Sequence, residues 1–165
     1  MEKLSIFYYN VCDVWKDLCE EHNNLLDQTC KEYSTLLKCD LETLEALLAK
    51  KQETVNRIGL IDELRTSLIN EINKDTGNKI SCVSELLAFM KSIEEKEKIS
   101  HLTRYNLFLV DIIEKIQEQN KKNQLFINKA LISIDDIKAS VTGKGFTTYT
   151  STGSTTRSVG MSKRS

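Results

Sequence analysis

The chain contains no proline in 165 residues, and its apolar residues recur at steps of three and four over most of the first 140. Proline removes a backbone donor and collides with the preceding turn, so a chain without it can run long unbroken helices. Steps of three and four gather apolar side chains on one helical face, which must be buried against another. The pattern predicts an all-α fold: a long antiparallel helical hairpin with a third long helix packed along it, a coiled-coil-like bundle. A disordered C-terminal tail completes the expectation. An activity does not follow from the pattern.

The first helix is expected over about Leu4–Lys38, with Phe7, Tyr8, Trp15 and Leu18 forming the aromatic-rich end of its stripe. Cys39-Asp40 then punctuates, and Asp40 is suited to capping a second helix over about Leu41–Lys74. So short a turn forces the two helices antiparallel. On the outer face of the second, Glu53 and Arg57 have the spacing of an ion pair. Lys74-Asp75-Thr76-Gly77-Asn78 reads as a stop and turn. A shorter helix is expected over about Ser81–Glu94, then a charged stretch, Glu94–Lys98, that reads equally as loop or as solvated helix, on which Glu94 and Lys98 have the spacing of a pair. Ser100 is a candidate cap for the last helix, about His101–Ser140. That helix carries Leu102, Tyr105, Leu109, Ile112, Ile116, Ile127, Leu131, Ile134 and Ile137 on its stripe.

Residues 1–140 thus form one α-helical domain. Residues 141–165 form a flexible basic tail in which twelve of 25 residues are Ser or Thr, too polar to offset the entropy of ordering. The tail's four positives, Lys144, Arg157, Lys163 and Arg164, leave −5 on the first 140 residues of a chain whose net charge is −1. Without a basic field or interleaved aromatics, nucleic acid is not an expected partner. The five cysteines are odd in number and lack a CxxC pair, as expected of reduced thiols in the cytoplasm. No apolar run approaches the roughly 20 residues of a membrane span, and the N-terminus lacks the pattern of a signal peptide.

Motifs of enzyme chemistry are absent, so neither catalysis nor a cofactor is expected. Cys19 and His22 lie one turn apart, but a metal takes three or four ligands and the other histidine is His101. A thiol packed beside a seam histidine is the expectation, with no metal. Gly59, inside the second helix, marks either a close helix approach or a tolerated surface glycine. Asn120 and Asn123 interrupt the last helix's stripe. They fix register, bond a partner's backbone, or lie exposed past the bundle; the sequence leaves all three open.

The order of elements, with particular segments in them, resembles FlgN, a family of cytoplasmic chaperones of flagellar type III export. The segments are the acidic leucine-rich run Cys39-Asp40-Leu41-Glu42-Thr43-Leu44-Glu45-Ala46-Leu47-Leu48, the Asn-containing run Ile116–Asn123 followed by Leu125–Leu131, and Thr148-Tyr149-Thr150-Ser151-Thr152-Gly153 after the last helix. The segment Ser81–Lys98 and the lack of acidic residues after Tyr149 depart from the family pattern. The resemblance implies a chaperone for hook-associated proteins. It would hold their aggregation-prone terminal helices and pass them to the flagellar export machinery, and substrate recognition would lie in the C-terminal part. The expected contacts are Asn123, Phe126, Ile127, Ala130, Leu131, Ile134 and Tyr149, where 127, 130, 131 and 134 share one helical face. The competing expectations are that this face packs on the first two helices, or that the protein is a structural coiled coil that self-associates, for example as a homodimer.

Overall fold

The structure, a computed structural model, describes residues 2–143, 147–149 and 155–157. It divides into two units, Met1–Asn120 and Lys121–Ser165. The first unit holds α1 (Glu2–Lys38), α2 (Leu41–Thr76), α3 (Val83–Glu97) and the beginning of α4 (His101–Thr142).

α1 and α2 form the expected antiparallel hairpin. Cys39 takes a left-handed φ of 53° at the turn, and the Asp40 carboxylate accepts from the Thr43 amide at 3.1 Å. Polar pairs fix the register along the hairpin: Lys3–Asp75 at 3.1 Å, Arg57–Glu21 at 3.1 Å, Gln28–Thr54 at 3.0 Å and Lys51–Glu32 at 2.6 Å. Arg57 therefore reaches across to α1 rather than along its own helix to Glu53, because the neighbouring helix offers a less exposed carboxylate. Gly77 ends α2 with φ 72°, its amide bonded to the Asn73 carbonyl at 2.9 Å. The Asn73 side chain then clasps the backbone of Ile80, accepting from its amide at 2.8 Å and donating to its carbonyl at 2.9 Å.

The apolar core sits at the end of the hairpin where α1 begins. Trp15 is 1% exposed and clusters with Phe7, Tyr8, Val11, Leu18, Ile72, Leu86, Met90 and Leu102. Burying each large apolar side chain contributes about 1.5–3 kcal/mol relative to exposure. Toward the turn the buried positions become polar: Thr29, Glu32, Thr35 and Thr54. These threonine hydroxyls donate to carbonyls one turn back, at 2.7 Å (Thr29), 2.8 Å (Thr35) and 3.1 Å (Thr54), which lets them sit inside the seam.

The stretch at 94–98 resolves into helix up to Glu97, stopped by Lys98 at a left-handed φ of 55°. Glu94 does not pair with Lys98 on a solvated face. It is 5% exposed and joins three helices. Tyr8 of α1 donates its hydroxyl to Glu94 Oε1 at 2.9 Å, the Thr103 amide donates to the same oxygen at 3.1 Å, and the Thr103 hydroxyl donates to Oε2. The carboxylate thereby satisfies a free amide of the first turn of α4, where negative charge also suits the helix dipole. Burial pushes the Glu94 pKa up, but the bonds from Thr103, Tyr8 and the Leu102 amide together outweigh it and hold the carboxyl below its ordinary value.

Gly59 has open space around the position a Cβ would take, and it is exposed. A close helix approach is not what retains it. Gly59→Ala is expected to raise stability by about 0.5–1 kcal/mol, since alanine is the better helix former and narrows the unfolded ensemble. Urea unfolding checks this; a lower midpoint would mean the glycine serves a need the structure does not contain.

The second unit contains the rest of α4 and two short strands, β1 (Thr147–Tyr149) and β2 (Thr155–Arg157), paired antiparallel with Tyr149 opposite Thr155. Much of the tail expected to be disordered lies outside the described residues.

Candidate partner-binding face

α4 carries one stripe from end to end, and its exposure changes along the way. In the first unit the stripe is covered: Leu102, Leu109, Ile112 and Ile116 are buried. Trp15 Nε1 donates to Asn106 Oδ1 at 3.2 Å, and the Cys19 thiol donates to the Tyr105 carbonyl at 3.3 Å, so this part of α4 lies along α1. At Asn120 the seam turns polar. Lys51 Nζ donates both to Glu32 at 2.6 Å and to Asn120 Oδ1 at 3.2 Å, tying α4 to both arms of the hairpin. Asn120 is itself exposed, so it is not a buried register residue, and its bond to Lys51 lies at the surface.

In the second unit the stripe loses its cover. Phe126 and Ile127 are half-buried and Ala130 is exposed. Leu131 is 55%, Ile134 47%, Ile137 63% and Val141 81% exposed. Residues 127, 130, 131, 134, 137 and 141 share one face by helical spacing, so these are a contiguous strip and not scattered surface apolar residues. Scattered singly they would need no explanation; in a row they do.

Of the residues expected to meet a partner, Ala130, Leu131 and Ile134 lie open, while Phe126 and Ile127 are partly open. Asn123 is 2% exposed, so it is closed to a partner in this conformation and its reading as an exposed residue fails. Tyr149 lies in β1, and its side chain is outside what the structure describes. Ile137 and Val141 extend the strip beyond the expected contacts. Their spacing was the available signal, since the period of the stripe runs on to the end of the helix.

A second apolar feature was not legible as a site. A groove of about 770 Å³ runs between the start of α1 and the end of α3, lined by Leu4, Ile6, Tyr9 and Ile93 with Lys96 and Glu97 at its rim. Ile6 and Tyr9 are apolar positions off the main stripe of α1, which is the hint the sequence offered.

Cys19 and His22 do not form a reactive pair. His22 Nδ1 lies 2.7 Å from the Leu18 carbonyl, and burial pushes the Cys19 thiol up to about 11, so it stays protonated at neutral pH. Among the described residues no group of three or more His, Cys, Asp or Glu side chains is placed to hold a metal, and no helix is long and apolar enough to cross a membrane.

Residues 10–157 match the family model described as FlgN protein. No curated protein and no solved structure matches the chain.

Proposed function

The chain belongs to the FlgN family of flagellar export chaperones, and from that premise we propose that it binds hook-associated proteins in the cytoplasm and keeps them from assembling before export. The observation that carries this reading is the uncovered strip on α4, from Ile127 to Val141. The substrate's aggregation-prone terminal helix would lie along that strip and bury it, in the manner of a helix docking on an apolar face. Transfer of apolar area from water supplies the drive, at roughly 25 cal/mol per Å² before the costs of association. Phe126, Ile127, Ala130, Leu131 and Ile134 are the proposed contacts, together with Tyr149 of β1. Release to the export machinery then requires only that the same strip be uncovered again.

The test is Leu131→Asp in the full chain. A carboxylate placed in a covered apolar contact is costly to desolvate, so binding to purified hook-associated protein should fall at least about tenfold. Leu131 is already 55% exposed, so the melting temperature should hold within a degree or two, as is usual for surface substitutions. Unchanged binding would move the site elsewhere, the α1–α3 groove being next. A second copy offering its own strip is the alternative occupant. Sedimentation that depends on concentration in the free protein, and that Leu131→Asp abolishes, would support that structural reading.

A further inference from the structure

The charge of the chain is divided between its two units. Lys121–Ser165 holds eight Lys or Arg against Asp135 and Asp136, a net of +6, which for a chain of net −1 leaves −7 on residues 1–120. The exposed strip belongs to the positive unit. Its lysines are also placed with respect to the strip. Lys138 sits within the face, four residues after Ile134 and three before Val141, and is itself exposed. Lys122 and Lys129, seven residues apart and exposed, lie on the flank of the helix beyond Phe126, in a row that Asp136 continues. The opposite border carries Gln124, Asn128 and Asp135.

From this placement we propose that the occupant of the strip is an amphipathic helix with acidic residues on both borders of its apolar face. One carboxylate would lie over Lys138, and others would meet Lys122 and Lys129. The proposal rests on the reading of this face as the substrate site and adds the chemistry that selects the substrate. Covering Lys138 with a purely apolar helix would strip water from an ammonium and give nothing back; a carboxylate on the partner meets that need. The aliphatic stem of Lys138 can still lie against the strip while its head reaches the border. Net positive charge on the whole unit draws an acidic segment in and speeds its encounter. The same sign of charge opposes a second copy docking strip to strip, because residues 121–143 of each copy carry a net of +2.

The test uses the full-length protein and two labelled synthetic helical peptides. Each is about 18 residues long, enough to span the roughly 21 Å rise from Ile127 to Val141. Both carry the same Leu/Ile stripe; one has Glu on its borders and the other Lys. Fluorescence anisotropy should give at least about tenfold tighter binding of the Glu peptide at about 0.05 M salt, a gap that closes toward about 0.5 M as screening lengths shrink. The doubly substituted Lys129→Glu, Lys138→Glu protein, altered only at exposed positions, should invert the preference. Equal binding of both peptides, lost together in Leu131→Asp, would overturn the acidic selection and leave the site standing. Binding of neither peptide would overturn the selection, and the site reading falls with it only if Leu131→Asp also leaves capture of hook-associated protein intact. Binding to vesicles of about one quarter anionic lipid, with neither peptide bound, would put a membrane surface in the partner's place and also overturn the proposal.

Discussion

Trp15→Ala is expected to lower stability by about 3–5 kcal/mol, the range for truncating a buried aromatic. Trp15 is 1% exposed and stands where α1 meets α4. Removing it leaves a cavity in the buried cluster it belongs to. It also leaves Asn106 Oδ1 without the indole N–H that reaches it at 3.2 Å. For a chain of this size the melting temperature should fall by roughly 10 °C. Trp15→Phe should cost clearly less, since it keeps most of the volume and loses only the hydrogen bond. Thermal unfolding followed by circular dichroism reads both. A shift of a degree or two for Trp15→Ala would mean that the core is elsewhere and that α4 does not depend on α1 for its anchorage.

Helices were legible because their signals are local. The absence of proline, the step of three and four, Asp40 before α2 and Gly77 after it act within a few residues of where they stand. The burial of Trp15, Phe7, Tyr8 and Leu18 was legible for the same reason, since they crowd one face of one helix. What covers a face is a different question, and periodicity does not answer it. The stripe of α4 looks alike at Ile112 and at Ile134, yet the first is buried and the second 47% exposed. Arg57 and Glu94 show the same limit for charges. Each had a partner at helical spacing, Glu53 and Lys98, and each bonds instead to residues distant in sequence, Glu21 for Arg57 and Tyr8 for Glu94. For Glu94 a burial that excludes water favours the distant partners, and for the half-exposed Arg57 it is the neighbouring helix that brings Glu21 within 3.1 Å; sequence spacing carries no information about either. Asn123 joined the expected contacts from its seam position and the Asn-containing run, neither of which reports that it is 2% exposed.

Glu94 is where stability should respond most to pH. Its carboxylate takes hydrogen bonds from Tyr8 at 2.9 Å and from the Thr103 amide at 3.1 Å, with the Thr103 hydroxyl on the other oxygen. Glu94→Ala strands the buried Tyr8 hydroxyl, at about 1–3 kcal/mol for a buried group left unpaired, while the amide of the exposed Thr103 turns to water, so a loss of about 1–3 kcal/mol is expected. Glu94→Gln keeps the shape but turns an N–H₂ toward donors, and should fall between the wild type and the alanine variant. The bonds to the ionised form hold the folded carboxyl below its ordinary value of 4.5. A depressed folded pKa means that the unfolded chain binds the proton first as pH falls. The contribution of Glu94 is therefore complete above the ordinary value, shrinks below it and is gone once the folded group is protonated. Urea midpoints of wild type and Glu94→Gln should differ most at pH 7 and converge as the pH drops through that window. A gap that stays constant across it would mean that the charge on Glu94 is not what holds α1, α3 and α4 together at this end of the first unit.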